Sequence, residues 1–248
     1  MKIINKASVV FLVLDDYTKD PLSDAEITCN GVHIPYAKKT DGYYVFLNMD
    51  PGNYQFEVSL KGFLPVSYEV ELTDIQPMQI VATMQYTQDN IKALGYKRLI
   101  FTAKTKGKPV KNKAVKVRLD TKVPFLRVIE PISKGSNLVM MNSDYNKRLL
   151  FQQYSYDKKP NVNIFFVGYD HQKQAFRTRD PFKTRTVEGG LLNPVWNYTT
   201  DEHGSFMIPV NPLFIQKEQV DFTVSIEKKN IPIATTLSER VSYIDLTV

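Results

Sequence analysis

Short runs of alternating apolar and polar residues, each closed by a turn, occupy the first third of this 248-residue chain and constrain its fold more than any other feature. Asn30-Gly31, Thr40-Asp41-Gly42, Asp50-Pro51-Gly52 and Lys61-Gly62 recur at intervals of roughly ten residues, the rhythm of a β-sandwich. Gly at these points supplies backbone conformations that a Cβ penalises, and Pro51 presets the first turn dihedral. Between the turns, Tyr54, Phe56, Val58 and Leu60 point one way while Gln55, Glu57 and Ser59 point the other. The apolar run 9–14 is closed by Asp15-Asp16 and reads as a buried strand. With 14 Tyr and 14 Phe, the chain is rich in side chains that suit a pleated, half-buried surface. About seven short strands are predicted in the first 85 residues, forming an antiparallel β-sandwich.

The segments around Pro21-Leu22-Ser23-Asp24-Ala25-Glu26-Ile27, Lys39-Thr40-Asp41-Gly42-Tyr43-Tyr44-Val45-Phe46 and Asp50-Pro51-Gly52-Asn53-Tyr54-Gln55-Phe56 carry a resemblance. Over residues 7–86 the chain resembles the carboxypeptidase-regulatory-like and collagen-adhesin B-type repeats, whose fold is a prealbumin-like β-sandwich. The resemblance implies a fold and not a function, since such modules serve enzymes, receptors, adhesins and phage-tail parts alike. Some collagen-adhesin repeats carry an internal Lys–Asn isopeptide bond assisted by a buried acid. Glu57 alternates outward and the run 78–84 holds no Asn, so none is expected here.

The same grammar returns later in the chain. Gly107-Lys108-Pro109-Val110 through Val117 echoes the segment from Pro21 to Ile27. Thr200-Asp201-Glu202-His203-Gly204-Ser205-Phe206 echoes Thr40-Asp41-Gly42-Tyr43-Tyr44, and Phe222-Thr223-Val224-Ser225-Ile226 echoes Phe56-Glu57-Val58-Ser59-Leu60. The expectation is therefore all-β with two sandwiches, Ig-like and prealbumin-like: one over 1–86, a linker with a short helix over 87–95, and a second over 96–248. This second sandwich resembles bacterial Ig-like repeats of the invasin type. Its first two echoed elements lie much farther apart than in the head, so residues 121–199 read as a long insertion. Strands are expected within it at 161–169 and around 147–154, because so long a structureless loop is uncommon inside a compact domain.

Charge is unevenly distributed. Residues 1–90 hold 6 Lys/Arg against 12 Asp/Glu, net −6; residues 91–190 hold 22 against 7, net +15; residues 191–248 hold 4 against 7, net −3. The basic middle contains Lys104, Lys106 and Lys108, then Lys111, Lys113, Lys116 and Arg118, then Arg177, Arg179, Lys183 and Arg185. On strands, alternate residues share a face, so these runs are expected to form positive stripes. Phe125, Tyr145, Phe176 and Phe182 lie near them as candidate aromatic anchors. Lys111, Lys113, Lys116, Arg118, Arg177 and Arg179 are the candidate partner-binding cations. No nucleic-acid-binding signature accompanies them, and an acidic protein surface, on a companion or on another copy, is the simpler partner.

Signatures of catalysis are missing: no phosphate-binding glycine loop, no Gly-x-Ser-x-Gly, no His-Glu-x-x-His. Cys29 sits at a strand end without a local base and reads as a structural thiol. His203 reads as a turn residue, and Asp15, Asp16 and Asp20 as a turn-forming loop rather than a calcium site. No catalytic residue, cofactor or metal is expected. No secretory leader and no membrane-length apolar run is present, so synthesis in the cytosol is expected. By analogy with other carriers of such modules, and with no leader in view, the expectation is a non-enzymatic structural protein of a phage tail or phage-tail-like contractile particle. The alternative is a cell-surface adhesin or carbohydrate-binding fragment, with Tyr154, Tyr156, Tyr169 and Tyr198 offering sugar-stacking faces.

Overall fold

Strand β1 (Ala7–Asp15) buries Val9, Phe11 and Val13 completely, and this alternation sets the first core. The computed structural model describes residues 6–73, 76–143, 145–186, 188–237 and 241–248. The fold is all-β, in two compact units, Met1–Leu94 and Gly95–Val248.

In the first unit, β2 (Glu26–Cys29), β3 (Ala37–Lys38), β4 (Tyr43–Leu47), β5 (Gly52–Ser59), β6 (Val66–Leu72) and β7 (Met78–Met84) follow β1. One sheet has the order β3-β4-β1-β7 and the other β2-β5-β6. Their inner faces enclose Phe11, Phe46 and Phe56, whose ring centroids stand 5.1–6.0 Å apart, and Ile27 and Val58 with them. Asn30 and Gly31 both take positive φ, closing the tight turn between Cys29 and Val32 with hydrogen bonds of 2.8 and 2.9 Å. Glu57 is exposed, as its phase in β5 requires. The Asp15 carboxylate accepts from the Tyr17 and Thr18 N–H groups and from the Tyr86 hydroxyl, and Asp16 pairs with Lys19 at 2.7 Å, so both carboxylates serve loop closure.

The short helix expected within 87–95 is present and belongs to the first unit. Helix α1 (Gln88–Leu94) buries Ile91 and is anchored to the first unit through Gly62, whose carbonyl accepts from Thr87 N–H and from the Asn90 amide.

The second unit repeats the plan. It contains β8 (Arg98–Thr105), β9 (Lys108–Pro109), β10 (Ala114–Leu119), β11 (Leu138–Val139), β12 (Gln153–Tyr156), β13 (Lys159–Asp170), β14 (Ala175–Thr178), β15 (Leu192–Thr199), β16 (Ser205–Pro209), β17 (Gln219–Ile226), β18 (Lys229–Thr236) and β19 (Val241–Thr247). The echoed motifs occupy equivalent places: β1 pairs antiparallel with β4 as β8 does with β16, and β2 pairs with β5 as β10 does with β17. In each unit the first and last strands pair in parallel, β1 with β7 and β8 with β19, which departs from the wholly antiparallel expectation. Such a pairing is open to strands that are remote in sequence and joined through the opposite sheet.

Between β10 and β16 the chain lays down five further strands. They extend the β10-β17-β18 sheet to eight strands in the order β11-β14-β13-β12-β15-β10-β17-β18. Strand β13 covers the run read at 161–169. The second expected strand lies at 153–156, since Lys147–Leu149 forms a short 3-10 turn capped by the Asn146 side chain. The insertion shares one continuous core with the sandwich, from Leu99 and Phe101 to Tyr154, Phe166 and Phe176.

Candidate functional site: the outward face of the long sheet

Strand β10 sends Val115, Val117 and Leu119 into the core and Lys116 and Arg118 outward. Register carries the outward row across the sheet: Arg118 lies opposite Val195, Val195 opposite Gln153, and Gln153 opposite Phe165. This face is concave. Lys116 Nζ on β10 donates to Asn163 Oδ1 on β13 at 3.3 Å, although β15 and β12 lie between their strands. In a flat sheet those strands would stand about 14 Å apart, beyond a lysine's reach. The curl explains why Val195 and Ser155, on the outward side, are only 1% and 3% exposed.

A cavity of about 920 Å³ opens at the β13–β14 end of this face. Its floor is Phe165, with the Arg179 guanidinium carbon 3.9 Å above the ring centroid and the Arg179 N–H bonded to the Phe165 carbonyl at 2.9 Å. Two chain segments bring Lys134 and Lys183 to its rim. They are tied by reciprocal backbone bonds, Gly135 N–H to Phe182 O and Phe182 N–H to Ser136 O, both 2.8 Å. Gln153 and Asn163 present amides whose oxygens already accept from Asn197 and Lys116. A smaller cavity of about 240 Å³ lies beside Lys116 and Arg118.

The expected basic stripe is broken. Lys116 and Arg118 share a face, but Lys111 and Lys113 precede β10, and Lys113 pairs with Glu227 at 3.4 Å. Arg118 is held by Asp120 at 2.6 Å and by the Thr223 hydroxyl at 3.1 Å, and that hydroxyl donates to Asp120 in turn. Lys106 and Gly107 take positive φ in a turn, which interrupts the 104–108 run. Arg177 is exposed and donates to Asp170 at 2.9 Å; this hydrogen bond is the main cause that holds the Asp170 carboxyl below its ordinary range. Arg179 is exposed in the cavity.

Of the aromatic candidates, Tyr145 is 46% exposed and meets Tyr169 and His171 at ring distances of 5.2 and 5.4 Å. Phe125 is partly buried against the core. Phe176 is fully buried and not an accessible anchor, because the phase of β14 turns it under Phe166 and Tyr169. Phe182 is 7% exposed and lines the cavity wall. Tyr154 and Tyr156 are completely buried and offer no sugar-stacking face; Tyr169 and Tyr198 are partly buried. Lys134 and the Phe165–Arg179 stack were not singled out in the sequence. Their signal, a cation brought next to an aromatic across two strands, requires the register.

Cys29 is buried, and burial pushes its thiol up, away from nucleophilic use. His203 N–H and Ser205 N–H both donate to Asp201 in a turn. Among the described residues no group of three or more His, Cys, Asp or Glu side chains is placed to hold a metal, and no helix is long and apolar enough to cross a membrane.

No family model and no curated protein matches the sequence. Among solved structures, the chain is similar to a streptococcal ancillary pilin (10% identity, TM-score 0.29, over 99% of this chain and 62% of that one). It is also similar to the Bacillus anthracis TIE protein (11%, TM-score 0.29, over 98% and 50%) and to the shaft pilin SpaA of Lactobacillus rhamnosus GG in a D295N mutant (10%, TM-score 0.26, over 98% and 98%). The chain thus spans less than two thirds of the first two proteins. At these TM-scores the likeness says nothing of function.

Proposed function

We propose that the protein is a non-enzymatic building block of a larger protein assembly, and that its second unit docks on an acidic protein surface through the cations of the inserted region. The observation that carries this reading is the segregation of charge between the units. Met1–Leu94 holds 7 Lys/Arg against 12 Asp/Glu, net −5, while Gly95–Val248 holds 25 against 14, net +11. Charge of this kind steers encounter and sets register, with affinity resting on anchors beside it. Tyr145 and the apolar wall of the cavity are such anchors.

The finer setting, a phage-tail-like contractile particle assembled in the cytosol, rests on the resemblance of the first unit. The adhesin alternative loses two of its four proposed stacking tyrosines to the core.

The test is isolation of the tagged full chain from its producing cells at low salt. The expected result is co-sedimentation with a multi-protein complex, unaffected by nuclease and released at about 1 M salt, where the screening length is only about 3 Å. Recovery as a free protein, or release by nuclease, would overturn the reading.

A further inference from the structure

We infer that the 920 Å³ cavity on the second unit binds a carboxylate-bearing peptide stretch of the partner, with Arg179 as the residue that recognises the carboxylate. This inference rests on the docking reading above and names the chemistry of its contact.

The lining is rich in donors. Arg179, Lys134 and Lys183 face the opening against one acid, Asp180, and none of the three cations has an ion-pair partner among the described residues. Gln153 and Asn163 have their amide oxygens engaged, so their NH2 groups are the atoms left to offer, and among the described residues these have no partner. The Thr178 hydroxyl proton is directed at the carbonyls of Asn137 and Asp180 and is not among the donors offered to the cavity. A donor-rich, cationic site takes an acceptor-rich anion.

Arg179 narrows the choice. The backbone bond fixes the Arg179 main chain beside Phe165, and the carbon of its planar guanidinium rests 3.9 Å from the centroid of that ring before any ligand arrives. The edge of that plane presents parallel N–H groups, matched to the two oxygens of a carboxylate. The same contact covers the Phe165 face, so the ring on which a sugar or a base would lie is already occupied. A protein carboxylate is therefore favoured over a uronic acid or a nucleic acid. The volume admits several side chains, and Phe182 and Pro181 provide an apolar wall for residues that flank the acid.

The experiment is calorimetric titration of the 248-residue chain with hexaglutamate peptide at about 0.15 M salt. Trigalacturonate serves as the carbohydrate arm, and thermal melts confirm the fold of each variant. Expected are saturable peptide binding, a loss of about tenfold in Arg179→Gln, and about fivefold even in Arg179→Lys, which keeps the charge but not the fork. Phe165→Leu, which keeps every charge, should also weaken binding. Lys106→Gln, removing an exposed charge in the β8–β9 turn, should change it less than about twofold. The inference is overturned if Arg179→Gln and Arg179→Lys behave as Lys106→Gln does, or if trigalacturonate binds and the peptide does not. Peptide binding lost in Arg179→Gln, with the variant still retained in the native complex, would uphold the cavity and overturn the docking reading. Peptide binding unchanged with retention lost would do the reverse.

Discussion

Gly204 accepts a hydrogen bond from the Ala103 N–H at 2.8 Å, and it approaches so closely that a Cβ there would stand 2.6 Å from the Ala103 carbonyl oxygen. Gly42 stands in the same relation to Val13 in the first unit, with a bond of 2.9 Å and a hypothetical Cβ 2.9 Å from the Val13 carbonyl. Both have φ of +74°, and both lie against a proline, Pro109 and Pro21 respectively. The two turns are one device used twice.

Gly204→Ala should therefore destabilise the protein by at least about 2 kcal/mol, from the left-handed backbone and the backbone clash together. Gly107→Ala, at φ +77° in open space, should cost only about 1 kcal/mol. Urea unfolding of the two variants checks the difference, and equal costs would show that the close approach is not what the glycine serves.

Residues 1–94 should fold alone, and more stably than residues 1–86. The shorter fragment loses the burial of Ile91 and the bonds from Thr87 and Asn90 to Gly62. Burial of one isoleucine stabilises by about 1.5–3 kcal/mol. Denaturation midpoints of the two fragments measure the difference, and coincident midpoints would return α1 to the role of a linker.

Phe176→Ala should cost about 3–5 kcal/mol, because the side chain is fully buried among Phe166 and Tyr169. Tyr145→Ala should leave stability within about 1 kcal/mol, since its ring is largely at the surface. Thermal melts of the pair decide whether burial has been assigned correctly in the insertion.

Stability should fall as pH rises above about 10. Burial raises the phenol of Tyr44 and Tyr154, and pushes Tyr68 up to about 12. An unfolded tyrosine loses its proton near pH 10, so above that value the unfolded chain binds fewer protons than the folded one. The stabilisation is fully present below pH 10 and is lost as pH climbs toward 12. Native phenolate absorbance should lag that of the denatured chain over this window. Superimposed titration curves would contradict the buried placement of these rings.

The first unit was legible because its turns are written locally. Asn30-Gly31 and Thr40-Asp41-Gly42 name their own backbone conformations, and Tyr54, Phe56 and Val58 name their own face. The second unit was legible through the repetition of that grammar, since Gly204 must occupy the place of Gly42. The insertion was not. Strand β14 is only Ala175–Thr178, too short for its alternation to reveal that Phe176 points inward and Arg177 outward. Tyr154 and Tyr156 point into the core, and Ser155 between them is buried as well because the sheet curls, a tertiary effect with no sequence period. The cavity joins Lys134, Phe165, Arg179 and Lys183 through register and two backbone bonds that no local motif announces.

The central claim is that the cations of the insertion, and not net charge alone, hold the protein in its assembly. The measurement is retention of two triple charge reversals in the native complex at about 0.15 M salt. One is Lys134→Glu, Arg179→Glu and Lys183→Glu at the cavity; the other is Lys104→Glu, Lys106→Glu and Lys108→Glu along β8 and β9. All six residues are exposed, so both proteins should keep a native melt. The expected result is loss of the cavity variant from the complex with retention of the other. Equal retention, or equal loss, would contradict the account.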